Sequence, residues 1–289
     1  MVLRHAFVVP MTTERELVEL AVLGEEHGWD MVLSWEAVLR HDAWVALGAA
    51  ALSTSRIRLG TMLTPASRWR PWDLARVVGS VDRLSAGRVT LGVGLGAPNG
   101  NWLAFEPDEG RAQRARLVDE VLEVYRGLLT AGSRGDYTHE GERYAVRPVT
   151  DIPPLDPVQR PHPPVWVVGA LVPGRDRQRS LERAARWQGV VPAVVTPGQE
   201  DGSTPLTPSL LRDLLGRVRA ERERLGLPWE GYDVVVEGDS HGGFGDIRGP
   251  AAPWEDAGAT WWVESWWDLP PGPEGLAELR RRVRLGPRR

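Results

Sequence analysis

The chain has 289 residues, is 42% hydrophobic and carries a formal net charge of -4, which suits one large barrel or two small domains and gives no general pull toward nucleic acid or anionic lipid. It contains no Cys, which excludes disulfides, thiol nucleophiles and cysteine-ligated metal centres, and all 35 of its basic Lys/Arg residues are Arg, which excludes a Schiff-base or pyridoxal lysine. A small-molecule partner is therefore the default expectation, and the 14 Trp promise large flat surfaces for it.

The amino terminus, MVLRHAFVVPMTTEREL, has a short apolar run followed by acids rather than a secretory leader, and no apolar run reaches membrane-spanning length. A soluble cytoplasmic protein is expected. AFVVP, Ala6 to Pro10, reads as a strand, and Thr12 or Thr13 caps a helix running to about Gly28. MVLSWE, Met31 to Glu36, is a second strand, and Asp42 caps the apolar helix ending at Arg56. IRLGTMLTP, Ile57 to Pro65, is the third strand, followed by a helix that stops at the C-cap glycine Gly87. RVTLGVGLG is the fourth, with a charged amphipathic helix from about Gly110 to Gly132.

Residues 133–162 interrupt this rhythm with Pro, Gly and charge, and YTHEGERYAV within them reads as a hairpin turning at Glu140 and Gly141. Alternation resumes with the strand PPVWVVGA, a helix from Arg175 to Trp187, the strand GVVPAVV and a helix from Pro208 to Gly226. YDVVVEG and TWWVESWW complete the strands, and GPEGLAELRRRVRLG forms the last helix. Eight strand-then-helix units over this length predict an α/β fold, a single (β/α)8 TIM barrel over residues 1–289 with an insertion after the fourth helix.

Gly92, Gly94 and Ala97 also match the G-x-G-x-x-G/A spacing of a dinucleotide-binding turn. That mechanism needs a helix to begin within the motif, because the pyrophosphate sits on its free N–H groups. Pro98 and roughly ten further loop residues intervene before the next helix, so the Rossmann reading fails. On a barrel strand, glycines at alternate positions let a flat ligand or a neighbouring backbone approach closely, or ease packing of a curved sheet.

TSRIRLGTMLTP, RPWDLARVVGSVDRLSAGRVTLGVGLG, PVQRPHPPVWVVGA, SLERAARWQGVVP and AGATWWVESWW together resemble the bacterial luciferase-like family of flavin-dependent oxidoreductases. The resemblance implies FMN or coenzyme F420 at the carboxyl face of the barrel, used for hydride transfer or for flavin-peroxide oxygenation of a small substrate; the indoles expected near the strand ends would suit an apolar or aromatic one. It implies that Thr61, Met62 and Thr64 lie against the flavin ring, that Gly94, Gly96 and Ala97 form the fourth-strand floor, and that Gly169 and Ala170 form a phosphate turn. Arg175 and Arg177 open the next helix in this reading, where dipole and guanidinium would favour a phosphate. A homodimer is also implied.

One departure stands out. Many relatives carry an Asp-His pair at the end of strand two, where this chain has Ser34, Trp35 and Glu36. Glu36 is the candidate replacement acid or base, and His41, in the loop that follows, is the histidine expected to face the mouth. Trp35, Trp69 and Trp102 fall near the carboxyl ends of strands two to four and are the candidate substrate pocket. The six His show no metal-ligand spacing, so no metal is expected, and the basic tail RRRVRLGPRR is too short to argue for nucleic acid.

Two other readings stay open. One is a flavin- or ligand-binding barrel without turnover, after loss of the Asp-His pair; the other is a barrel glycosidase using strand-end acids among Glu36, Glu237 and Glu264. For each Glu singly, a salt bridge to one of the many Arg is the plainer expectation.

Overall fold

A computed structural model describes residues 2–96, 101–131, 137–148, 155–196, 204–240 and 250–287. In chain order the elements are β1 (Arg4–Val9), α1 (Glu14–Glu26), β2 (Met31–Ser34), α2 (Ala43–Ser53), β3 (Arg58–Thr61), β4 (Thr64–Pro65), α3 (Pro71–Leu84), β5 (Val89–Gly94) and α4 (Arg111–Thr130). The inserted hairpin β6 (His139–Glu140) and β7 (Ala145–Val146) comes next. Then follow β8 (Val165–Leu171), α5 (Arg179–Ala184), β9 (Gly189–Val194), α6 (Pro208–Arg224), β10 (Asp233–Gly238), α7 (Ala252–Asp256), β11 (Trp261–Ser265) and α8 (Pro273–Arg284). With β3 and β4 as two halves of one strand, this is the (β/α)8 barrel expected.

Local chemistry places the helix starts. Thr13 and Glu16 form a reciprocal capping box: Thr13 N–H donates to Glu16 Oε2 at 2.7 Å, and Glu16 N–H donates to Thr13 Oγ1 at 3.3 Å. Asp42 Oδ1 accepts from the N–H groups of Trp44 and Val45 at 2.9 and 3.0 Å, and Thr207 caps α6 in the same way through Leu210 N–H. Gly87 takes φ +86 after α3, the left-handed stop that its position in the sequence suggests.

The chain groups into two compact units. The first comprises Met1–Met11, Leu23–Leu33 and Val165–Arg289. Its strands run in the order β2-β1-β11-β10-β9-β8, with parallel pairing from β1 through β8. A Cβ at Gly169 would meet Leu181 and Ala184 of α5 at 3.1 and 3.4 Å, so residue 169 faces the helix layer and Trp166, Val168 and Ala170 face away from it.

On that inner face, the amino-terminal ends of four strands share one carboxylate. Asp233 accepts from the indole N–H of Trp166 at 2.9 Å and of Trp261 at 3.0 Å, and it pairs with Arg4, whose guanidinium lies over the Trp261 ring at 4.2 Å. Gly189 completes the layer, because a Cβ there would stand 2.5 Å from Trp166 and 2.8 Å from Asp233.

The second unit comprises Thr12–Val22 and Ser34–Pro164. Both β3 and β4 pair in parallel with β5. Arg88 ties the end of α2 to β3 through the carbonyls of Ala51, Thr54 and Ile57. Buried Asp82 accepts from Gln159 N and Nε2, and the same Nε2 donates to Val89 O at 2.7 Å, which fastens the chain after the insertion to β5.

Candidate functional site

The third strand breaks at a cis peptide between Met62 and Leu63. Thr61 closes the break: its hydroxyl donates to Gly92 O at 3.0 Å and accepts from Gly92 N–H at 3.1 Å, while Thr64 Oγ1 donates to it at 3.1 Å. A Cβ on Gly92 would lie 2.1 Å from Thr61 O. Gly92 is therefore required by a neighbouring backbone, not by a ligand. Gly96 has φ +78, which only glycine adopts without strain, and packs beside Pro65 and Ser67. Gly94 is partly exposed opposite Pro65, and Ala97 lies outside the described residues.

Strand two ends at Ser34, so Glu36 stands in the loop just beyond it rather than on the strand. Its Oε1 accepts from Trp69 Nε1 at 2.7 Å, and the Thr64 hydroxyl and Trp44 indole also face the carboxyl. Burial pushes the Glu36 carboxyl above the usual carboxylate range, and those neutral donors oppose the shift without cancelling it. Oε2 is buried and without a hydrogen-bond partner among the described residues, as is Trp44 Nε1.

His41 corrects an expectation. It is buried instead of facing the mouth, with Nδ1 2.8 Å from Thr12 O and Nε2 2.9 Å from Ser34 Oγ. A carbonyl can only accept, so Nδ1 donates to it, and Nε2 pairs with the Ser34 hydroxyl; both ring nitrogens serve the loop. The candidate pocket indoles are also redistributed. Trp69 holds Glu36, Trp35 is partly exposed, and Trp102 is buried with the guanidinium groups of Arg68 and Arg114 at 5.6 and 5.4 Å from its ring.

In the first unit, Gly169 and Ala170 lie within β8 and not in a turn, because both continue the pairing with β9 and Ala170 N–H donates to Ser180 Oγ at 3.0 Å. The turn follows at residues 172–178 and is closed by Gln178, which bonds the N–H and C=O of Val172 and the carbonyl of Arg175. Arg175 and Arg177 do not open the helix. It begins at Arg179 and has 6 residues, so no long helix dipole stands behind either guanidinium.

The strand-end acids separate by face. Glu264 shares its face with Trp262, opposite to Trp261. It is saturated by Trp262 Nε1 at 2.9 Å, Ser240 N–H at 3.0 Å and the Ser240 hydroxyl. Glu237 lies two residues beyond Val235 and four beyond Asp233 on the inner face and accepts from Trp267 Nε1 at 2.7 Å. Neither carboxylate has the Arg partner expected of it among the described residues; their hydrogen-bond donors are neutral. The alternation in DVVVEG, counted from Asp233, was the available signal for Glu237. Among the described residues, no three His, Asp or Glu are grouped to hold a metal.

The elements form a (β/α)8 barrel. The chain belongs to the luciferase-like monooxygenase family, whose pattern matches residues 3–186. It is 35% identical over 204 residues to an F420-dependent glucose-6-phosphate dehydrogenase of Nakamurella multipartita, covering 65% of this chain and 57% of that one. It is 26% identical over 157 residues to the oxygenase component of a flavin-dependent trigonelline monooxygenase of Acinetobacter baylyi, covering 53% and 42%. The chain thus spans about half the length of these curated relatives. In fold it is similar to the coenzyme F420-dependent tetrahydromethanopterin reductase of Methanopyrus kandleri, with TM-score 0.73, 15% identity and 99% of each chain covered. No helix among the described residues is long and apolar enough to cross a membrane.

Proposed function

We propose that this protein is an oxidoreductase that binds FMN or coenzyme F420 and acts on a small, apolar or aromatic organic molecule in the cytoplasm. The observation that carries the reading is the Glu36 carboxyl, desolvated beside the broken third strand with one oxygen and the Trp44 indole left unpaired. Family membership supports it, as do a relative described as F420-dependent and another described as flavin-dependent.

The residues present fit such a coenzyme. Thr61, Met62 and Thr64 would meet its ring through backbone and methyl groups, since both threonine hydroxyls already have partners, and Gly94 and Gly96 add a strip without side chains. Within the first unit, exposed Arg175, with Gly169 and Ala170 in the strand before it, is a separate proposal for a phosphate-binding group, acting through its guanidinium alone. Hydride transfer, or oxygen transfer from dioxygen, is the chemistry such a coenzyme supplies when bound.

Glu36 then holds or moves a proton. Its raised affinity for the proton suits a donor, with Trp69 fixing Oε1 so that Oε2 is the working atom. A second copy of the chain is the proposed partner, because α2 and α3 expose Val45, Leu52 and Leu84 at 62%, 72% and 47%.

Titration with oxidised and reduced FMN and F420, followed by Trp emission, tests the proposal. Tight binding of one coenzyme is expected, with Glu36→Gln keeping that binding and losing turnover. A folded protein that binds neither refutes it. Coenzyme binding without turnover of any acceptor would favour the non-catalytic barrel, which the engaged nitrogens of His41 and the absent Asp-His pair also suit.

A further inference from the structure

Glu237 is the last inner-face residue of β10. The face is fixed at the other end of the strand, where Asp233 gathers Trp166, Trp261 and Arg4, and alternation carries it through Val235 to Glu237. That places Glu237 at the carboxyl end of a barrel strand, the end at which barrel sites lie.

Its setting differs from those of the two nearest strand acids. Glu237 and Asp233 are both partly exposed, but Asp233 is enclosed by three donors, and Glu264 is buried and saturated. Its donor is the Trp267 indole at 2.7 Å, the neighbouring Ser265 hydroxyl donates to Gly238 O at 3.3 Å, and among the described residues no cation pairs with Glu237. Beside it in register stands Val263, and two residues below it on the same face stands Val235, so its strand neighbours on that face are apolar.

We propose that Glu237 contacts the substrate, its free carboxyl oxygen donating a hydrogen bond to a carbonyl or hydroxyl oxygen, so that the molecules accepted are small ketones and secondary alcohols with an apolar remainder. Trp267 holds one oxygen and thereby orients the other. Burial pushes the carboxyl above its usual range, the direction that favours the proton-bearing form. The valines account for the apolar remainder. This deepens the oxidoreductase reading, on which it rests for taking the partner to be a substrate.

The test titrates cyclohexanone and cyclohexanol into the full chain, loaded with whichever coenzyme binds and also without one, following Trp emission. Trp267→Phe assigns the signal. Saturable binding is expected in the wild type, weakened at least tenfold in Glu237→Leu, about the worth of one hydrogen bond to a neutral group. Glu237→Gln, whose amide N–H still donates, should stay within about threefold. The infrared band of a protonated carboxyl, lost in Glu237→Gln, should shift on adding cyclohexanone. Unchanged affinity in Glu237→Leu, or no saturable binding in the wild type, overturns the proposal. Should Glu237→Leu fail to fold, an infrared band that cyclohexanone leaves unmoved overturns it equally. Loss of coenzyme binding in the separate FMN and F420 titrations would instead strike the oxidoreductase reading alone.

Discussion

Replacing Gly92 with Ala should be among the most damaging single-methyl additions in the second unit. The new Cβ would lie 2.1 Å from Thr61 O and 3.2 Å from both Thr61 C and Leu63 Cδ2. Ordinary contact needs about 3.5 Å, so β3 and β5 must part by more than ~1 Å. That separation breaks the two hydrogen bonds between Thr61 Oγ1 and Gly92, at 3.0 and 3.1 Å, worth about 1 kcal/mol each. Overpacking adds ~1–3 kcal/mol. The sum, about 3–5 kcal/mol, corresponds to a fall in Tm on the order of 10 °C for a chain of this size. Calorimetry on Gly92→Ala beside Gly216→Ala makes the comparison internal. Gly216 lies inside α6 with nothing within 4 Å of an added Cβ, so that variant should gain about 0.5–1 kcal/mol from helix propensity. A Gly92→Ala protein that melts with the wild type but loses coenzyme binding would refute the packing argument and return Gly92 to the ligand.

Asp233→Ala strands two buried indole N–H groups and Arg4, and should cost ~3–5 kcal/mol by urea unfolding with no requirement for coenzyme. Glu36 binds its proton more tightly folded than unfolded, so its contribution is complete below about pH 4.5 and is lost as pH rises through the raised folded value. Glu36→Gln should flatten that part of the pH–stability curve, and parallel slopes for the two proteins would contradict the burial argument. Leu52→Glu should shift sedimentation from dimer to monomer without lowering Tm of the monomer; an unchanged sedimentation coefficient would rule this face out.

The eight strand-and-helix units were legible because each apolar run ends at a turn residue and most helices begin on a side-chain cap or a proline, signals contained within a few neighbouring residues. The broken third strand was not legible. IRLGTMLTP reads as one strand because what divides it is Thr61 reaching across to Gly92, 31 residues away. The fifth helix was expected four residues too early for a related reason: the turn before it is closed by the Gln178 side chain, and RDRQR offers no apolar period to mark a start. Glu36 was found by its position relative to a missing pair, but its indole clamp comes from residue 69. His41 was expected at the mouth, yet the Thr12 carbonyl that holds its other nitrogen inside comes from a different loop.

The carboxylate of Asp233 sets an order of events for the newborn chain. Its partners are Arg4, Trp166 and Trp261, so the layer joins residues 229 apart in sequence and cannot close until β11 has been made. Until then β1 lacks the strand that flanks it through residues 261–265 and presents an open edge. Contacts of such long range are formed late and slowly. Emergence of β11, and not the appearance of the first helices, is the step on which this end of the barrel waits, and a chaperone that shields the edge of β1 would be most useful just before it.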